Sequence, residues 1–308
     1  MHFFIKRPVQ NVRANLIFSR RKCLCSLGTL RNFLGRGVNV VKDDGAVVAL
    51  DKPAGVKSHP NAPNETFRTL LRGSYNFNNE CYHLHSPGSE ANYSDSTSDH
   101  MNTTNNSKDR AWLLHRLDSA TSGLILVTTH FEVAEAIKLS FSKREVEKVY
   151  YAVVFNENTD DCFNKDFFWR DPIVVNRNGN SLRTSAGGSV TAITRVRVVR
   201  TKMIMQRLQL MLLELKPLTG FTHQLRFQCS IHKMPIVNDN IYGDFQLNKF
   251  AKEFVKRQSN HNLPSTRMYL HAQKLELRYK LGENFGYFAA ESVLPSEFGD
   301  VFDVLGRK

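Results

Sequence analysis

Cysteine is scarce in this 308-residue chain: Cys23, Cys25, Cys81, Cys162 and Cys229 form an odd set of five with no Cys-x-x-Cys pair. That spacing excludes a disulfide framework and a zinc knuckle. The histidines, His115 and His223 among them, fall at no spacing suited to metal ligands, so no metal site is expected. Aspartate and glutamate are missing altogether from residues 1–37. The apolar stretches of that segment are broken by charge, which excludes both a secretory signal core and a membrane span. No internal repeat is visible.

What the first segment does hold is Lys6, Arg7, Arg13, Arg20, Arg21, Lys22, Arg31 and Arg36, with serine, leucine and phenylalanine between them. This is the composition of an organellar transit peptide, so import into the mitochondrion is expected. Another organelle or the cytoplasm is second, and a basic arm is the alternative. A cleaved leader would leave a chain starting between Gly37 and Asp43. Taking those eight cations from the net +13 leaves +5 for the remainder, a moderate excess that suits an anionic polymer without requiring one. Residues 73–109, with Ser94-Asp95-Ser96-Thr97-Ser98-Asp99 inside them, are rich in Ser, Asn, Asp and Thr without an apolar period and read as an inserted low-complexity loop.

Elsewhere the pattern mixes strands and helices. Val47-Val48-Ala49-Leu50, residues 123–129 and residues 148–155 read as strands, and Leu208, Leu210 and Leu212 alternate along another. Val133, Ala136, Ile137, Ser140 and Phe141 trace one face of a helix. Leu247, Phe250, Ala251, Phe254 and Val255 mark a second helix; its other side carries Lys249, Lys252, Lys256 and Arg257, either a solvated face or one that meets phosphate.

The chemistry is concentrated in His115-Arg116-Leu117-Asp118-Ser119-Ala120-Thr121-Ser122-Gly123. Asp118 stands between a basic pair and a Ser/Thr/Gly turn that opens onto the apolar run Leu124-Ile125-Leu126-Val127, a buried strand. Hydroxyl and backbone donors of that turn can fix the carboxylate, and Arg116 or another cation would keep it ionised, as a nucleophile or a general base requires. The same pattern also serves as an Asx-type turn at a strand entry.

This segment resembles the signature of the RluA-type pseudouridine synthases, and other blocks of that family follow in order. Leu50-Asp51-Lys52-Pro53-Ala54-Gly55-Val56 with His59-Pro60 resembles its Lys-Pro-x-Gly strand and turn, and Lys148-Val149-Tyr150-Tyr151-Ala152 its Lys-x-Tyr-x-Ala strand. Leu218-Thr219-Gly220-Phe221-Thr222-His223-Gln224-Leu225-Arg226 is similar to its Gly-x-Thr-His-Gln-x-Arg element. Pro235-Ile236-Val237-Asn238-Asp239 with Tyr242-Gly243, then Arg267 with Leu270-His271-Ala272, complete the set across about residues 45–295.

The resemblance implies an α+β fold, a large mixed and mostly antiparallel sheet flanked by helices around a central RNA-binding cleft. It implies one catalytic domain over 38–308, an isomerase that turns uridine in RNA into pseudouridine, and no cofactor. Organellar rRNA is the expected substrate, tRNA second, and a monomer the expected state. Asp118 would be the essential carboxylate, Arg226 its partner and Tyr150 the ring stacked on the target base. Arg116 would enter the RNA when the uridine flips out, Lys52 would touch phosphate, and His223 and Leu225 would line the substrate. If a helix runs from Thr222 to Ile231, Thr222 and Arg226 share a face. Phe221 departs from the family, which usually has arginine there, so one cation is absent. That keeps open a non-catalytic RNA-binding or ribosome-assembly factor. A glycosidic hydrolase would need a second carboxylate near Asp118, for which only Asp239 offers itself.

Overall fold

The computed structural model describes residues 26–62, 68–84, 109–157, 166–178, 181–257 and 267–306. In chain order the elements are α1 Ser26–Arg31, β1 Asn39–Asp43, β2 Val48–Lys52, β3 Ser74–Asn76, β4 Cys81–His83, β5 Arg110–Leu113, β6 Ser122–Thr128 and α2 Phe131–Ser142. Then come β7 Val146–Asn156, β8 Asp166–Asn178, β9 Ser181–Ala186, β10 Val190–Met205, β11 Leu208–Pro217, α3 Gln224–Ile231, α4 Phe245–Arg257, β12 Leu270–Leu281, β13 Asn284–Glu291 and α5 Glu297–Leu305.

All 13 strands join one sheet in the order β3-β4-β5-β6-β12-β7-β11-β10-β8-β9, with β2 on β6, β1 on β2 and β13 on β12. Every pairing among the described strands is antiparallel except β6 with β12, where His271 faces Ser122 and Ala272 faces Gly123. That seam accounts for the glycine: Gly123 has φ +108, and a Cβ there would lie 2.2 Å from the Ala272 carbonyl oxygen.

The apolar run of β6 is buried along its whole length because both its faces are covered. Ile125 and Val127 enter a cluster with Leu50, Leu70, Leu71 and Tyr82. Leu124 and Leu126 enter another with Val133, Ala134 and Ile137 of α2. The largest cluster gathers β7, β10 and β11 with Leu225 and Cys229 of α3 and Phe298, Val301 and Phe302 of α5. β11 departs from simple alternation: Leu210, Met211 and Leu213 are fully buried while Leu212 is partly exposed.

Two boundaries read from the sequence fall inside this body. From Leu30 onward the chain is folded against it: Leu30 is fully buried, the Gly35 N–H donates to the Leu70 carbonyl at 2.8 Å, and the Arg72 N–H donates to the Phe33 carbonyl at 2.6 Å. A cut at 37, or between Gly37 and Asp43, therefore passes through packed structure. Likewise residues 74–83, counted with the insertion, form the β3–β4 hairpin with Cys81 and Tyr82 fully buried. Residues 1–25 of the leader, 85–108 of the insertion, Cys23, Cys25 and Cys162 lie outside the described residues. No helix among the described residues is long and apolar enough to cross a membrane.

Candidate active site

Asp118 lies in the loop between β5 and β6, and its main chain is clamped from both sides. Before it, the Ser58 hydroxyl donates to the Leu117 carbonyl at 2.7 Å and accepts the Leu117 N–H at 3.0 Å. After it, the Ser119 carbonyl accepts the Gly55 N–H at 2.7 Å and the Lys52 ammonium at 3.2 Å. Gly55 has φ +85, so the Lys-Pro-Ala-Gly turn needs a residue free to adopt the left-handed region.

Lys52 is not available to phosphate. It is fully buried, and its ammonium also donates to the Val56 carbonyl at 2.7 Å and the Pro53 carbonyl at 3.1 Å. Three acceptors match its three donors. Burial pushes it down to about 7, against the pull of Asp118 and Asp51. It is a strut under the Asp118 loop. One side of it borders a cavity of about 390 Å³ that Asp51, Ser122, Arg267 and His271 also line.

Arg226 reaches Asp118 from α3, its Nη1 donating to Oδ2 at 3.0 Å. The rest of its fork is held by Asp239: Nε donates to Oδ2 and Nη2 to Oδ1, each at 2.8 Å. Asp239 is in turn fixed by the backbone N–H groups of Ile241 at 2.8 Å and Tyr242 at 3.1 Å. Burial works against both charges; in Asp239 the guanidinium overrides it and holds the carboxyl below its ordinary value, and in Arg226 the two carboxylates raise the pKa further. Asp239 is 1% exposed and already bidentate, so it is no second acid or base for glycoside hydrolysis. Gly243 closes this turn, where a Cβ would meet the Asp239 carbonyl oxygen at 2.2 Å.

α3 begins at Gln224, two residues later than the sequence suggests, because His223 takes the left-handed conformation with φ 54. Thr222 thus precedes the helix, and its carbonyl accepts the Thr184 hydroxyl of β9. The kink turns the His223 ring toward the site, with Nε2 3.7 Å from Asp118 Oδ2 and Nδ1 3.1 Å from the Tyr242 hydroxyl. Burial lowers the His223 pKa, opposed by Asp118. Gln224 and Thr219 are buried and bonded to each other at 2.8 Å, with Gln224 also bonded to Thr194 at 3.0 Å, which ties the loop to β10. Leu225 is packed into the main core cluster.

Tyr150 of β7 bridges two core clusters, and burial followed by the nearby charge of Asp118 raises its pKa, so the phenol stays protonated. Tyr151 faces away, donating to Glu214 at 3.2 Å. His115 is a structural ring: its Nε2 accepts the Leu126 N–H at 3.1 Å, it stacks on Phe141, and burial pushes it down to about 3. Arg116 is exposed, 3.4 Å from His59 Nε2. Phe221 packs against Ile173, Ala192 and Phe227. A sequence pattern could flag Asp239 as part of a turn, but not as the clamp of Arg226; Ser58 carried no signal beyond its place before His59-Pro60. Among the described residues no group of three or more His, Cys, Asp or Glu is set to hold a metal ion.

The sequence profile of the RNA pseudouridylate synthase family matches residues 46–231. Similar proteins include a ribosomal large subunit pseudouridine synthase D of Borreliella burgdorferi, 27% identical over 257 residues, or 82% of this chain and 65% of that one. A ribosomal large subunit pseudouridine synthase C of Vibrio vulnificus is 27% identical over 171 residues, 56% of this chain and 48% of that one. An uncharacterized RNA pseudouridine synthase of Helicobacter pylori is 29% identical over 185 residues, 60% and 59%. The chain thus spans about half to two thirds of the length of these relatives. Among solved structures, human RNA pseudouridylate synthase domain containing 4 superposes with TM-score 0.54 at 19% identity, covering 87% of this chain and 92% of that one. The similarity identifies the fold, a large mixed sheet with few helices, as that of the pseudouridine synthases.

Proposed function

Because the chain belongs to the RNA pseudouridylate synthase family, we propose that it converts uridine in RNA to pseudouridine. The reaction breaks the N1–C1′ glycosidic bond, turns the detached uracil and forms a C5–C1′ bond; the C5 hydrogen leaves to solvent as N1 takes up a proton. No electrons are gained or lost. Asp118 serves either by attacking the sugar or by removing a proton from it, and both roles need a fixed carboxylate. The observation that carries the reading is the Arg226 fork, which joins partly exposed Asp118 to buried Asp239. Tyr150 supplies the ring beside the base, and Arg116, exposed two residues before Asp118, occupies the RNA as the uridine flips out.

Organellar rRNA is the proposed substrate. Its support is the acid-free basic leader and the names of relatives that act on the large ribosomal subunit. Residues 1–25 still hold Lys6, Arg7, Arg13, Arg20, Arg21 and Lys22, so a leader that ends before Ser26 keeps its basic character. The experiment is tritium release from RNA labelled at uridine C5, with wild type and Asp118→Ala side by side. Release by the wild type alone is the expected result; RNA binding by both with release by neither favours the assembly-factor reading, to which Phe221 in its apolar cluster also points.

A further inference from the structure

The β3–β4 hairpin carries an array of rings that the chemistry at Asp118 does not use. Tyr75 stacks on His59 with centroids 5.0 Å apart and 12° between planes. Phe77 sets its ring edge-on to Tyr75 at 5.2 Å and to His59 at 6.1 Å, and is 43% exposed. Behind them Tyr82, fully buried, meets Tyr75 at 4.9 Å and donates to the Ser58 carbonyl at 2.7 Å. Ser58 is the residue that clamps Leu117, so the rings are anchored to the loop that presents Asp118. His59 donates its Nδ1 hydrogen to the Pro60 carbonyl at 2.7 Å, which leaves Nε2 as the acceptor that meets the Arg116 guanidinium. The Arg116 Cα is at most about 7 Å from that of Asp118, two residues on.

An exposed Phe beside half-buried Tyr and His, with a guanidinium at its margin, offers flat apolar faces and one positive charge. Unpaired nucleobases are bound by such surfaces, through stacking that every base can make and a cation for the phosphate between them. The charge of Glu80, at the hairpin turn, is offset by Lys138 at 3.0 Å. Outside the first 37 residues the chain keeps a net +5, which suits a polyanion better than an apolar peptide.

We propose that Phe77, supported by Tyr75 and His59, is a stacking platform for the RNA base adjoining the uridine held at Asp118. The proposal rests on the reading of the chain as an RNA-modifying enzyme. Flipping a uridine leaves its neighbours unstacked, and an aromatic ring set beside the opening repays that loss.

The test uses the full chain and a single-stranded RNA with 2-aminopurine on either side of one central uridine. Asp118→Ala protein, which reads binding without turnover, is compared with the same protein carrying Phe77→Ala or Phe77→Trp. Stacking quenches the 2-aminopurine on one side of the uridine; Phe77→Ala removes the quenching and weakens binding about 5- to 100-fold, and Phe77→Trp restores both. In otherwise wild-type enzyme, Phe77→Ala raises KM for RNA by a like factor. Equal quenching and affinity in Phe77→Ala, or no RNA binding at all, overturns the platform. Phe77-dependent quenching without tritium release by the wild type would leave the platform standing and remove the synthase reading; release with no dependence on Phe77 would do the reverse.

Discussion

At the scale of single residues, the site is a line of charges, Asp118–Arg226–Asp239, of which only the first is partly open to solvent. Arg226→Lys loses the planar fork and leaves Asp239 buried with at best one ammonium, so it should lower stability by about 3 kcal/mol, read by chemical denaturation, and abolish tritium release. Asp239→Asn should separate the roles: Arg226 keeps its charge and its bond to Asp118 but loses its anchor. kcat/KM should fall about 10- to 100-fold with a smaller loss of stability, checked by the same two measurements. The Asp118–Arg226 pairing was legible in the sequence because both stand in motif blocks. The clamp by Asp239 was not: its Pro-Ile-Val-Asn-Asp block marks a turn but gives no sign of where the carboxylate points. Lys52 misled for the opposite reason. A lysine at a strand end is ordinarily solvated, and only the fold brings three carbonyls around it.

At the scale of elements, the β6–β12 seam carries the site because Asp118 leads directly into β6. Gly123→Ala would force a Cβ onto the Ala272 carbonyl and into an unfavourable φ, with an expected loss of about 2–4 kcal/mol in a denaturant melt and a matching loss of soluble enzyme. The same seam holds His271, fully buried and bonded to Ser122 at 2.9 Å; burial, then Arg267, pushes it down to about 3. With an unfolded value near 6.5, the unfolded chain binds the extra proton between those limits, so stability rises with pH across about 3 to 6.5. His115 behaves alike. Unfolding free energy should fall by as much as about 1.4 kcal/mol per pH unit per histidine on acidification below 6.5, and His271→Gln should make that slope shallower. The Ser/Thr/Gly turn and the apolar run after it made β6 readable. β11 was harder, since a strand covered on both faces keeps no strict alternation.

At the scale of the whole molecule, the sheet runs from the hairpin at β3 to the hairpin at β9, and the segment before β1 packs on it. A chain beginning at residue 38 loses buried Leu30 and Phe33, worth about 3–6 kcal/mol together, and should melt lower than one beginning at residue 26 or fail to fold. Thermal unfolding of the two truncations measures the difference. Composition alone could not place that boundary, because Leu30 and Phe33 belong equally well to an apolar-basic leader and to a core.

The loop of Asp118 is gripped by Ser58, Gly55 and Lys52 from the N-terminal side and by Arg226 of α3 from the other. These contacts span up to 108 positions of sequence, so none can form by local folding. Catalytic competence should therefore arrive late and all at once in a refolding experiment, after most helical and hairpin signal has returned. A nascent or proteolytically clipped chain would be inert chemically, even where enough of its basic surface survived to hold RNA. On the proposed reading, turnover would then report that the fold is complete, whereas RNA binding alone would not.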